Sequence, residues 1–181
     1  MNIRPLIPAD ADAYTVLRRE MLRDSPWAYA ASESNDRGLD ADGLRHSLAA
    51  PNYAIIGAFD ARPDAPVFNP AALGPPSSRL VGSVGLMRTP HDKMAHRADI
   101  WGVYVTPTAR GKGLCLAMLD AAFDLARSWR GVDSVGLSVS VRSAAARRAY
   151  VRAGFVAWGL EPRALAWSGE QIDEIHMLKM L

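Results

Sequence analysis

Six residues, Arg110-Gly111-Lys112-Gly113-Leu114-Cys115, carry the clearest chemistry in this 181-residue chain. An apolar run, Ile100-Trp101-Gly102-Val103-Tyr104-Val105, precedes them and Pro107 closes it. Leu114, Met118, Ala121, Leu125 and Trp129 follow at helical spacing. The glycines therefore fall at a helix entrance, where unpaired backbone N–H groups and the positive end of the helix dipole favour an anion. Arg110 and Lys112 add cations at the same place, and charge-assisted hydrogen bonds contribute ~1.5–3 kcal/mol each. Phosphate is the expected guest.

The spelling excludes two familiar phosphate motifs. A P-loop needs Ser or Thr after Gly-Lys, and Gly113 stands there. The dinucleotide fingerprint needs Gly-x-Gly-x-x-Gly, and Gly111-Lys112-Gly113 runs on into Leu114, Cys115 and Leu116.

Composition sets the frame. One domain, 49% apolar residues and a net charge of +2 describe a globular chain. No apolar leader or membrane-length run appears, which predicts a cytoplasmic protein without a membrane partner. One cysteine leaves no internal disulfide, and no metal is expected. Charge is uneven: residues 79–152 hold twelve Arg or Lys against five Asp or Glu, and residues 1–60 hold six against nine. A basic middle suits a polyphosphate as well as a nucleic acid, and no nucleic-acid motif accompanies it.

The positioning elements read off in order. Residues 2–6 are extended, and Asp10 is placed to cap a helix to about Arg23 with Val16, Leu17, Met21 and Leu22 apolar. Trp27 and Tyr29 sit in a turn-like stretch, as packing for the helices or lining for a cleft, before a weaker helix over 39–50. Residues 52–59 and 79–87 are strands around a proline-rich connection (61–79), read as an insertion in a hairpin. After the strand at 100–105 and its helix come a strand over 134–141 and a helix capped by Ser143 and stopped by Gly154. A strand from Phe155 follows, and Ser168-Gly169 then predicts a two-residue hairpin turn between 163–167 and 170–181. The order is β α α β β β α β α β β.

Arg110 and Gly113, in a glycine-bearing turn between a strand and a helix, resemble the Arg/Gln-x-x-Gly-x-Gly/Ala signature of the GCN5-related N-acetyltransferases (GNAT). Cys115 stands at that signature's last position. Tyr150, four residues before Gly154-Phe155, matches the family's Leu-Tyr-x-x-x-Gly-Phe segment, and the element order agrees. Ser143 stands where the family often has Asn. The resemblance implies an α+β GNAT fold, a mixed and mostly antiparallel sheet flanked by about four helices, and acetyl-CoA as cofactor. It implies that the central strand splays from its neighbour, that Val103, Tyr104 and Val105 pair with pantetheine, and that Arg110, Gly111, Lys112, Gly113, Leu114 and Cys115 hold the pyrophosphate. Ser143 is a further candidate contact, and Arg142, Arg147 and Arg148 are candidates for the 3′-phosphate.

Acetyl transfer needs a neutral amine, a polarised carbonyl and a proton for the departing thiolate. A backbone N–H near Val103 or Tyr104 serves the carbonyl. Tyr150 is the candidate acid, and Asp99 the candidate base, with His96 or a water chain as alternatives. Lys93, Glu33 and Glu174 are candidate substrate contacts. Cys115 as a covalent nucleophile is disfavoured, since no motif ties a base to it. The expected activity is direct transfer to a small-molecule amine. A protein acetyltransferase, a non-catalytic acyl-CoA sensor and a nucleic-acid-binding domain are the competing readings, and a homodimer through the last hairpin is open.

Overall fold

The computed structural model describes residues 1–61 and 78–181. The proline-rich connection thus lies almost wholly outside the described residues. Strands β1 (Asn2–Pro5), β2 (Tyr53–Ala61), β3 (Ser78–Arg88), β4 (Arg97–Val105), β5 (Ser134–Ser140), β6 (Val156–Trp167) and β7 (Glu170–Met180) form one seven-stranded sheet ordered β1-β2-β3-β4-β5-β7-β6. Every pairing is antiparallel except β4 with β5. Helices α1 (Ala11–Asp24) and α2 (Ala41–Leu48) cover one face, and α3 (Leu114–Ser128) and α4 (Ala144–Arg152) the other.

Burial on each face follows helical period, with two corrections to the expected stripes. In α1 the buried set is Ala11, Tyr14, Leu17, Arg18, Met21 and Leu22, while Val16 is exposed. Arg18 takes a core position because Asp36 accepts from its Nε at 3.0 Å and its Nη2 at 2.5 Å, so the charge enters the core paired. In α3 the stripe runs through Leu114, Met118, Leu119, Ala122, Phe123 and Ala126; Ala121 and Leu125 are half-buried, and Trp129 lies past the helix end.

Neither predicted N-cap, Asp10 nor Ser143, makes a side-chain capping bond. Asp40 caps α2, accepting from Asp42 N and Gly43 N at 3.2 Å. Asp10 does not cap α1; its carboxylate closes the preceding turn through Ile7 N at 2.8 Å and binds Arg4. The strand from Phe155 and the stretch 163–167 are one long strand, β6, with irregular register between Glu161 and Leu165. Ser168 and Gly169, both at positive φ, form the turn that joins Trp167 to Glu170.

Candidate active site

The site begins where two parallel strands part. β4 and β5 pair only through Arg97, Ala98 and Asp99 against Ser134, Val135 and Gly136, although each strand runs several residues further. A bulge in β4 marks the divergence: Tyr104 faces Ser83 and Trp101 faces Gly85, so Gly102 and Val103 together oppose Val84. Gly102 has φ +56°, a region that favours glycine, and Ser83 donates to its carbonyl at 3.0 Å. Beyond Asp99 the β5-facing edge of β4 therefore has no ladder bonds. Between the parted strands lies a cleft of about 990 Å³, bounded by the entrance of α3, the start of α4 and the 27–31 connection.

At the α3 entrance Gly111 and Gly113 both have φ +76°, and a Cβ on either would meet nothing within 4 Å. The first backbone bond of the helix runs from Ala117 N to Gly113 O at 3.2 Å. Among the described residues, the N–H groups of residues 111–116 have no backbone acceptor. Six donors thus go without a backbone partner at an open helix entrance, a setting that favours a phosphate.

The cations at this entrance differ from expectation. Arg110 is committed: its Nε donates to Val105 O at 3.0 Å, its Nη2 pairs with Asp24, and its guanidinium lies 5.6 Å over the Tyr104 ring. Lys112 is exposed and does not line the cleft. The arginines of α4 stand differently. Arg148 and Arg152 line the cleft one helical turn apart and have no carboxylate partner among the described residues, whereas Arg142, just before α4, lines it but pairs with Glu170, and Arg147 is outside the lining.

Tyr150 is buried on α4, its ring 6.0 Å from that of Phe155, and lines the cleft. Burial raises its pKa, and the nearby Cys115 and Tyr29 raise it further, which keeps the phenol protonated. Burial also pushes the Cys115 thiol up to about 11, and a protonated thiol is a poor nucleophile. Ser143 occupies the N-cap position of α4 without a side-chain capping bond; its hydroxyl stays available in the cleft wall. Leu114 and Cys115 line the cleft, as do Val103, Tyr104 and Val105. The Tyr104 side chain turns away to α1, its hydroxyl 3.3 Å from Glu20.

The opposite wall is one that no motif indicated. Trp27, Ala28, Tyr29, Ala30 and Ala31 line it, and the Tyr29 hydroxyl donates to Val103 O at 3.0 Å. Trp27 meets Trp167 edge-on at 5.7 Å, so the 27–31 connection touches the β6–β7 hairpin. Trp101 lies across the space that a Cβ at Gly85 would fill, which holds its indole at the cleft. β5 brings Leu137, Ser138, Val139 and Ser140 to the lining, and β7 brings Glu174. Of the other candidates, Asp99 accepts from Thr89 at 3.2 Å where β4 and β5 are still paired, outside the lining. His96 and Lys93 are exposed and outside it, and Glu33 is paired with Arg23 and Arg19.

Residues 21–155 match the acetyltransferase (GNAT) family. Among solved structures, the acetyltransferase of GNAT family from Streptococcus pneumoniae is 20% identical, covering 99% of both chains with a TM-score of 0.78. The GNAT superfamily phosphinothricin acetyltransferase from Sinorhizobium meliloti, in complex with acetyl-CoA, is 19% identical over 99% of this chain and 88% of that one, TM-score 0.77. The ribosomal-protein-alanine N-acetyltransferase from Brucella melitensis is 18% identical over the whole of both chains, TM-score 0.77. No curated protein matches the chain. A parted strand pair, an open glycine cradle and a buried phenol thus stand within a matched sequence family, and the chain belongs to the GNAT acetyltransferases, enzymes that use acetyl-CoA as acetyl donor.

Proposed function

We propose that this enzyme acetylates a small-molecule amine by direct attack in a ternary complex. The contact between Trp27 and Trp167 carries the reading, because it ties the 27–31 wall of the cleft to the β6–β7 hairpin. A compact amine fits a walled cleft; an extended chain needs an open groove.

In this reading the edge of β4 at Val103–Val105, which makes no ladder bonds to β5, orders the pantetheine amides, and the N–H groups of residues 111–116 hold the pyrophosphate. Arg148 and Arg152 supply the cations for the 3′-phosphate, and the Ser143 hydroxyl adds a contact. Bound there, acetyl-CoA supplies an activated thioester. The N–H of Val103 or Tyr104 polarises its carbonyl as the amine nitrogen bonds to the carbonyl carbon. The C–S bond breaks, the thiolate takes its proton from Tyr150, and the proton lost by the nitrogen passes through water to restore the Tyr150 phenol. Asp99, held by Thr89 away from the lining, is not needed for that step.

The homodimer left open through the last hairpin is supported by the exposed edge of β6, where Val156, Trp158 and Leu160 are 70%, 64% and 59% exposed. Light scattering reads that state directly.

The test of the activity gives the protein acetyl-CoA with a mixed pool of small amines and lysine-bearing peptides and follows products by mass spectrometry. Acetylated small amines are expected; acetylated peptides alone would replace this reading with a protein acetyltransferase. Cofactor binding without any product would favour a sensor.

A further inference from the structure

The carboxylates around the cleft are accounted for with one exception. Asp24 pairs with Arg110, Asp36 with Arg18 and Glu170 with Arg142. Asp173 accepts from Arg163 N at 2.8 Å, and Glu161 meets His176 Nε2 at 2.8 Å. Glu174 is the only acid among the described cleft-lining residues, and it has neither an ion pair nor a side-chain hydrogen bond among them.

Its place in the sheet sharpens the point. On β7 it stands directly opposite Ser140 of β5 on one side and Glu161 of β6 on the other. Two like charges in direct register destabilise a sheet unless cations relieve them. His176 serves Glu161, and nothing in the described chain serves Glu174. A half-buried carboxylate left so, at the end of a cleft whose other walls are Trp27, Tyr29 and Trp101, is completed by a cation from outside.

We infer that Glu174 captures the acceptor as an ammonium, which gives up one proton to water before its nitrogen attacks, and that the acceptor is an amine with an apolar or aromatic body and no carboxylate beside its nitrogen. The inference rests on the small-amine reading and narrows its substrate class. Charge selects: an ammonium gains a charge-assisted partner at Glu174, whereas an amino acid brings its own carboxylate against the same group. Glu174 is thereby a specificity-determining residue, set apart from the phenol that handles the thiolate.

The test compares 2-phenylethylamine with phenylalanine, which differ by one carboxylate, in the wild type, Glu174→Gln and Glu161→Gln, with acetyl-CoA affinity measured by calorimetry in each. The wild type is expected to prefer phenylethylamine by at least ~10-fold in kcat/KM, the low end for a hydrogen bond to a charged group. Glu174→Gln should remove most of that preference, chiefly through KM for the amine, while acetyl-CoA affinity stays unchanged. Glu161→Gln, which removes a neighbouring carboxylate already bound to His176, should keep the preference. Equal or better use of phenylalanine by the wild type, an unchanged preference in Glu174→Gln, or acetyl-CoA binding with neither compound acetylated would each overturn the inference. Failure of the wild type to bind acetyl-CoA would instead overturn the reading beneath it.

Discussion

The Tyr29 hydroxyl donates to the Val103 carbonyl at 3.0 Å, joining residues 74 positions apart across the mouth of the parted strands. That bond ties the α1–α2 connection to the edge of β4 that lines the cleft. It holds one wall of the cleft against the other, and the Arg18 guanidinium, 5.3 Å from the Tyr29 ring, supports it from below.

Tyr29→Phe is expected to cost ~0.5–1.5 kcal/mol of stability, the ordinary net value of one hydrogen bond. Urea unfolding measures it. The carbonyl freed by the substitution remains available to a ligand, so acetyl-CoA affinity should hold while KM for the acceptor rises.

Removing the phenol tests the acid. Tyr150→Phe should lower kcat by about 10²–10³ with acetyl-CoA affinity retained, within the range for one general acid. Burial raises the pKa of Tyr150 above the ordinary tyrosine value near 10, so the acid form persists up to at least that pH. Rate should therefore climb with pH as the amine loses its proton, without an alkaline fall below about pH 9. An alkaline limb in that range, absent from the variant, would contradict the protonated phenol.

Cys115→Ala should keep turnover, because a thiol pushed up to about 11 is protonated at working pH. Alkylation of Cys115 at pH 8 should be slower than that of a free thiol by at least ~10-fold. The sign of the linkage is also fixed. A raised folded pKa contributes stability that is complete below the unfolded value, about 8.5, and is lost as pH rises toward 11. The wild type should lose stability more steeply across that window than the variant.

Gly113→Ala separates strain from function. The left-handed backbone costs ~1–2 kcal/mol for a residue with a Cβ, and the new methyl clashes with nothing in the protein. It does occupy the open cradle, so acetyl-CoA should bind at least ~10-fold more weakly, as expected from losing one charge-assisted contact. Gly131→Ala, at φ +82° in the turn before β5, carries the same strain and should leave binding intact.

Asp99→Asn is expected to leave kcat and its pH profile unchanged, since the carboxylate bonds Thr89 outside the cleft lining. Steady-state kinetics between pH 6 and pH 9 decide it. A large loss of kcat together with an altered acid limb would restore Asp99 as the base.

Much of the scaffold was legible because its causes are local. Pro107, Gly113, Gly154 and the Ser168-Gly169 pair act on the two or three dihedrals around them, and the alternation of Val135, Leu137 and Val139 assigns a buried face without reference to any other strand. The glycine cradle belongs to the same class: positive φ at Gly111 and Gly113 and the start of an apolar helix are features of one short segment. The family's tyrosine fell where its motif places it, on the cleft wall.

The charges of the site were not legible, and the reason is distance along the chain. Arg110 reads as a free phosphate ligand until Asp24, 86 residues earlier, is brought beside it; Arg142, Arg147 and Arg148 read alike as phosphate candidates, and only the parted strands set Arg148 and the unforeseen Arg152 at the cleft. Asp99 sits in the expected strand, yet the length of the β4–β5 pairing keeps it outside the cleft, and Glu174 enters only because β7 lies beside β5. Local dihedral preferences and burial period are written into neighbouring residues and determine elements, caps and turns. Which carboxylate neutralises which arginine depends on a few ångströms between segments that only the packed sheet brings together, and electrostatic energy varies steeply over that distance.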